Sequence, residues 1–216
     1  MIHLYTWTTP NGRKIPIMLE EIGMPYEVHP IDISQDEQFA SGFLRIAPNN
    51  KIPAIIDDHI SDAAAGGAPL AIFESGAILT YLAETSGRFL APSGAARFKA
   101  LEWLYWSIGG LGPMLGQLGY FAVRAEEKAP LAIERFTQEA GRLLGVMERR
   151  LSEAPYLAGG DYTIADIACY PWLMAATTIL KEPLAGSLQD KPAIHRWLAA
   201  VGARSAVVRG MQVPPG

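Results

Sequence analysis

Hydrophobic positions change their rhythm along the chain, and the changes divide it. Residues 2–6 form a short, mostly apolar run that ends in the turn formers Thr8, Thr9, Pro10, Asn11 and Gly12, which predicts a strand feeding a helix. Over 13–22 the apolar positions Ile15, Met18, Leu19 and Ile22 recur at helical spacing, Gly23 is a natural stop, and Pro16 is expected in the first turn, where proline is tolerated. Residues 26–29 alternate as a second strand, and 32–43 are polar, a loop with a short helix. The opening unit therefore reads β-α-β. Two further strands are expected at 52–56 and 70–73, joined by a Gly- and Ala-rich loop over 57–69. A helix then starts at Ser75, places Ile78, Leu79 and Leu82 on one face and ends at Gly87.

Beyond Phe89 a short linker, 90–94, leads into sequence with helical periodicity only. Helices are predicted over 96–117, 129–151, 163–180 and 192–202, with Pro192 suited to a first helical position. The pattern divides the chain into an α/β domain over 1–88 and an all-helical domain over 95–216. Thr163 and Asp166 have the T-x-x-D form in which each side chain accepts an amide proton of the helix start, a variant of the capping box. Tyr162 and Ile167 occupy the flanking staple positions.

Composition removes several functions. Half of the 216 residues are hydrophobic, enough for a sizeable core, and the net charge is −4 with Lys and Arg scattered, so no nucleic-acid surface is expected. The longest nearly uncharged stretch, 167–180, is shorter than the roughly 20 residues a bilayer requires and contains Pro171, so it reads as a buried helix and no membrane partner is expected. Met1-Ile2-His3-Leu4-Tyr5 lacks the basic start and apolar run of an export signal, which predicts a cytoplasmic protein. The single cysteine, Cys169, cannot pair internally, no CxxC occurs, and the four histidines are far apart in sequence, so neither a disulfide nor a metal is expected. Cys169 lies between Ala168 and Tyr170 in an apolar run and is read as a small buried hydrophobe.

With Lys51-Ile52-Pro53-Ala54-Ile55 before a strand, Glu74-Ser75-Gly76-Ala77-Ile78 opening a helix, and Thr163 followed by Asp166-Ile167-Ala168, the whole chain resembles the glutathione S-transferases. Their fold joins a thioredoxin-like domain to a helical one. Thr9-Pro10-Asn11-Gly12, Ala47-Pro48-Asn49-Asn50-Lys51 and the Gly-rich run from Gly109 to Gln117 are similar to the bacterial nu class, which acts as glutathione-dependent disulfide-bond oxidoreductases. The resemblance implies that Thr9 and Asn11 hold the glutathione thiol. It further implies one or two glutathione molecules per site as cosubstrate, no metal, and a homodimer. The second substrate, a small disulfide or electrophile, would lie at 118–128. Disulfide reduction, conjugation to an electrophile, and a non-catalytic binding module all remain open at this point, although Thr9, Asn11, Glu74 and Ser75 weigh against the last.

The residues themselves suit that chemistry. A thiol of pKa about 8.5 is mostly protonated at neutral pH, and lowering it by roughly two units takes about 2.7 kcal/mol of preference for the thiolate. A hydrogen bond to a charged acceptor supplies about 1.5–3 kcal/mol and a helix N-terminus roughly 0.3–1, so a hydroxyl plus a dipole suffices where the dipole alone does not. Thr9 and Asn11 at a strand-to-helix junction can address one anion, or can merely cap the helix. Tyr5 is a competing hydroxyl. Ser75 and the helix amides can receive the γ-glutamyl carboxylate while Glu74 attracts its ammonium, and Ile52, before what is a cis proline in this fold, can pair with the ligand backbone. Gln38 and Lys51 could meet the glycyl end, and Arg135 matches a ligand arginine of the nu class; each of these types is commonly a solvated surface residue.

Overall fold

The structure, a computed structural model, describes residues 1–63 and 66–215. It divides into two units, Met1–Arg88 with Arg204–Gly216, and Phe89–Ala203.

The first unit is built on a four-stranded sheet of order β2-β1-β3-β4, with β1 Ile2–Thr6, β2 Tyr26–Pro30, β3 Ala54–Asp62 and β4 Ala68–Phe73. β1 and β2 run parallel and are linked by helix α1, Pro10–Ile22; β3 is antiparallel to both β1 and β4. Two 3-10 turns and the short α2, Ser41–Leu44, follow β2, and α3, Ser75–Ser86, follows β4. This is the thioredoxin-like arrangement expected from the sequence.

Three local expectations change. β3 and β4 extend well into the stretch expected to be a loop, 57–69, through a hairpin with a register irregularity between Asp57 and Ser61; residues 64 and 65 of that stretch lie outside the described residues. Helix α1 starts at Pro10, so Pro16 lies inside it and not in its first turn. Pro16 cannot donate to the carbonyl four residues back, and the carbonyl of Gly12 accepts instead from the buried Thr6 hydroxyl at 2.9 Å. Helix α1 is also buried on more than one side, Ile17 as well as Ile15, Met18 and Leu19, because a final short helix packs on it.

That helix, α10 at Ser205–Gly210, corrects the boundary drawn at the C-terminus. The last residues, assigned to the helical domain 95–216, belong to the first unit. Arg204 grips the buried Glu21 through two hydrogen bonds of 2.5 and 2.8 Å, and Arg209 reaches Glu20 at 2.6 Å. A Cβ on Gly210 would stand 2.5 Å from the Ile17 backbone, so only glycine permits this approach.

The second unit is helical: α4 Gly94–Trp106, α5 Gly112–Leu118, α6 Pro130–Glu153, α7 Ile164–Thr177, α8 Ala185–Leu188 and α9 Pro192–Gly202. The single helix expected over 96–117 is instead interrupted by a π-helical turn, Ser107–Leu111, and α5 runs into a second one, Gly119–Arg124. Pro113 lacks the amide that an α-helix would direct at Gly109, and the wider turn lets the Gly112 N–H reach the Ser107 carbonyl. Gly112 and Gly116 leave room for the Trp172 ring of α7; a Cβ at Gly112 would lie 2.9 Å from its Nε1. The capping box at Thr163 and Asp166 forms as read, and Asp166 also accepts from the Leu157 amide and from Trp197 Nε1. No helix among the described residues is long and apolar enough to cross a membrane.

Candidate active site

Sheet register gathers one group of candidate residues at a single end of the first unit. Thr6 pairs with Pro30, Tyr5 with Ala54, and Ala54 with Phe73. The exit of β1 into α1, the entry to β3 and the exit of β4 into α3 therefore share one edge. Thr9, Asn11, Ile52, Glu74 and Ser75 all lie in those junctions, and Lys51 directly precedes them. Two helix N-termini start at that edge, each presenting the positive end of a helix dipole.

Thr9 is the N-cap of α1, with its hydroxyl oxygen accepting from the Gly12 amide at 3.0 Å. The capping and anion-binding roles are compatible, because a hydroxyl that accepts this proton still has its own to donate. The tightness of the junction depends on Gly12. A Cβ there would fall 2.1 Å from the Trp7 carbonyl, 2.7 Å from Thr6 Oγ1 and 3.2 Å from Thr9 Oγ1. Asn11, in the first turn of α1, is partly exposed. Tyr5 is on the sheet face of His29, stacked on its ring at 4.7 Å and packed beside Phe43, and burial first, Glu27 second, push its phenol pKa up.

At α3, which starts at Ser75 as expected, the N-cap is Glu74. Glu74 holds φ 71°, ψ 114°, a region that costs a non-glycine residue energy and that clusters at ligand clamps. Ser75, the first helical residue, is buried, and the buried Lys14 of α1 donates to its hydroxyl at 3.4 Å. Lys14 escaped the sequence reading because a lysine within a helix is ordinarily a solvated residue. Its charge stands behind the hydroxyl proposed to meet a carboxylate.

The Ile52–Pro53 peptide is cis, and Ile52 is just outside the sheet, β3 beginning at Ala54. Gln38, in the second 3-10 turn, has a buried Oε1 without a hydrogen-bond partner while its Nε2 is 3.4 Å from Asp36. Lys51 is exposed. Arg135 belongs to the second unit, on α6, where it is well exposed and 3.8 Å from Glu139; Glu139 is engaged more closely by Arg142, at 2.7 and 2.9 Å. Cys169 is buried within α7. In the same unit an open recess of about 570 Å³ is lined by Tyr120, Phe121, Arg124, Glu126 and Lys128. Lys128 caps the second π turn there through the carbonyls of Ala122 and Ala125.

Comparison with known proteins agrees with this architecture. Residues 1–84 match the family described as glutathione S-transferase, N-terminal domain, and residues 130–200 match glutathione S-transferase, C-terminal domain. The disulfide-bond oxidoreductase YfcG of Escherichia coli is 47% identical over 95% of this chain and 92% of its own length. YghU of the same organism, also a disulfide-bond oxidoreductase, is 42% identical over 97% of this chain and 73% of its own. A glutathione transferase family member from Pseudomonas fluorescens, solved with two glutathione molecules bound, superposes with a TM-score of 0.91 at 46% identity, covering 99% of this chain and 93% of that one. One from Pseudomonas putida, with one glutathione disulfide bound per subunit, gives 0.91 at 41% identity over 99% and 91%. The chain belongs to the glutathione S-transferase family.

Proposed function

We propose that this protein reduces disulfides with glutathione, taking two glutathione molecules to each disulfide consumed. The observation that carries the reading is the edge where the N-termini of α1 and α3 meet the entry to β3, set beside relatives named as disulfide-bond oxidoreductases. Thr9 donates its hydroxyl proton to the glutathione sulfur, Asn11 and the positive end of the α1 dipole supply the remaining stabilisation, and Ile52 pairs with the cysteinyl backbone. Ser75, backed by Lys14, receives the γ-glutamyl carboxylate while Glu74 attracts the ammonium. Gln38 and Lys51 take the glycyl end, and Arg135 assists in binding. The recess at Tyr120 to Lys128 coincides with the segment assigned to the second substrate.

The chemistry balances without a protein thiol. A glutathione thiolate attacks one sulfur of the disulfide, the S–S bond breaks, and the departing sulfur takes up a proton as the first product thiol. A second glutathione thiolate attacks the glutathione sulfur of the mixed disulfide and releases the second thiol. The two glutathione thiols thereby give two electrons to the substrate disulfide and leave joined as oxidised glutathione. We further infer a homodimer working in the cytoplasm, on the family resemblance.

The proposed route makes Cys169 dispensable. Cys169→Ser should turn over a small symmetrical disulfide within about twofold of the parent rate, because Cys169 is buried within α7 and no step of the route uses its thiol. Loss of turnover in a variant that still folds and binds glutathione would sink the two-glutathione route.

Affinity tests the other half of the site. Ser75→Ala should weaken glutathione binding by about 1–3 kcal/mol, the cost of removing a hydrogen bond to a charged acceptor. Calorimetry that finds no change would reduce Ser75 to a packing position beside Lys14.

A further inference from the structure

One ground for expecting no metal, beside the family resemblance, is the sequence separation of the four histidines, and parallel pairing of β1 with β2 removes it. His3 lies opposite Glu27 and Tyr5 opposite His29, which puts His3, Glu27 and His29 side by side on one sheet face. His3 Nδ1 is 3.1 Å from His29 Nε2 and 3.3 Å from a Glu27 carboxylate oxygen, whose partner oxygen is 3.9 Å from His29 Nε2. One ligand atom from each of the three residues falls within 4.8 Å of the others. Two ligands of a tetrahedral zinc ion, with bonds of about 2.0–2.1 Å, stand about 3.3–3.4 Å apart, so two of these three separations are already close to coordination edges. The third closes by rotation of the Glu27 carboxylate, which is more than half exposed.

The surroundings hold the two rings for this role. Asp58 Oδ2 is 3.6 Å from His3 Nε2, which favours the tautomer carrying its proton there and turns the Nδ1 lone pair toward His29 and Glu27. Asp58 is itself held below the usual carboxylate range, first by its hydrogen bond from the amino terminus of Met1, and the exposed His59 is 3.7 Å away from it. The Tyr5 ring stacks on His29 at 4.7 Å and 17°, fixing the plane of that imidazole. A carboxylate oxygen and two ring nitrogens thus converge with one orienting carboxylate behind them, the pattern of a metal ligand set with its outer support.

We propose that His3, Glu27 and His29 form a binding site for a divalent cation of the zinc class, with a fourth position open to solvent. The ligand set, two imidazoles and a carboxylate, selects zinc and its neighbours over magnesium or calcium, which prefer oxygen alone. The alternative occupant of the same geometry is a proton, shared as an ordinary hydrogen bond between the two imidazoles.

Tag-free full-length protein, titrated with zinc chloride by calorimetry in buffer without glutathione or chelator, separates the two. The expected result is saturable uptake of a single Zn²⁺ per chain. His3→Gln and His29→Gln should each weaken it at least tenfold, and Asp58→Asn by about 10–100-fold through loss of orientation. Cobalt substitution should give the visible absorption of a four-coordinate site in the parent and not in the double variant. Circular dichroism and unchanged glutathione binding would show that the variants are folded. Either no uptake by the parent at millimolar zinc, or equal uptake by a folded His3→Gln, His29→Gln double variant, overturns the site.

Discussion

Asp166→Ala should lower the stability of the protein by about 3–9 kcal/mol, because it leaves three buried N–H donors without an acceptor at roughly 1–3 kcal/mol each. The donors are Leu157 N–H and Thr163 N–H, each at 3.0 Å, and the indole of the fully buried Trp197 at 2.8 Å. Thr163 Oγ1 adds a longer contact of 3.3 Å. One carboxylate thus joins the start of α7, the segment before it and helix α9. A helix cap alone is worth about 0.5–2 kcal/mol, and Asp166 is worth more because the same side chain also serves two distant donors, Leu157 N–H and the Trp197 indole. Asp166→Asn should lose roughly half as much, since it retains an acceptor oxygen but turns an amide toward Thr163 N–H. Burial pushes the Asp166 carboxyl pKa up, with the hydrogen bonds from Leu157, Trp197 and Thr163 pulling it partly back. The native state then holds this proton more tightly than the unfolded chain, so stability falls as pH rises from about 3.9 toward the folded value. Urea unfolding at several pH values measures both effects: a midpoint shift with an unchanged slope against denaturant, and loss of that acid-range slope in the alanine variant. An alanine variant within about 1 kcal/mol of the parent would show the donors finding other partners.

The legible parts of the fold were those whose reasons are local. Thr9, Pro10, Asn11 and Gly12 announce a strand-to-helix junction because each carries turn or cap chemistry of its own, and Thr163 with Asp166 does the same for α7. The hairpin of β3 and β4 was hidden because Asp58, His59, Ser61 and Asp62 carry no apolar alternation, and their pairing is supplied by the partner strand. Helix α10 is six residues long, too short for a period to show, and its place is fixed by Arg204 on Glu21 and by Gly210 against Ile17, contacts across nearly the whole chain. Thr6 reads as one more strand residue until Pro16, ten residues on, leaves the Gly12 carbonyl to be satisfied. Lys14 and the His3 and His29 pair were missed for a similar reason: their significance lies in a neighbour brought by tertiary structure, Ser75 in one case and the parallel strand in the other. Chemistry that is carried by a junction can be read from a sequence, and chemistry assembled across strands or helices cannot.

Thr9→Ala should raise the pKa of bound glutathione by about one to two units, since it removes a charge-assisted hydrogen bond of roughly 1.5–3 kcal/mol. The geometry sharpens the expectation. Thr9 Oγ1 already accepts from Gly12 N–H at 3.0 Å, and that bond turns the hydroxyl's own proton outward as its one remaining donor. Thr9→Ser keeps both the cap and the donor and should keep the parent pKa, which distinguishes loss of the hydroxyl from loss of the methyl group. Thiolate absorbance in the ultraviolet, followed as pH is varied with glutathione at saturation, reads the value directly. Turnover at neutral pH should fall about 3–25-fold with it, the thiolate fraction at pH 7 dropping from about three quarters at a pKa near 6.5 to about one quarter near 7.5 or about 3% near 8.5. Asn11→Ala should act in the same direction, and the double variant should lose less than the sum of the two if both groups address one sulfur. Tyr5 provides the opposing outcome. Its ring is stacked on His29 and packed beside Phe43, so Tyr5→Phe should leave the thiol pKa where it was. A pKa that stays fixed in Thr9→Ala and rises in Tyr5→Phe would transfer the role to the phenol and end the case for the threonine.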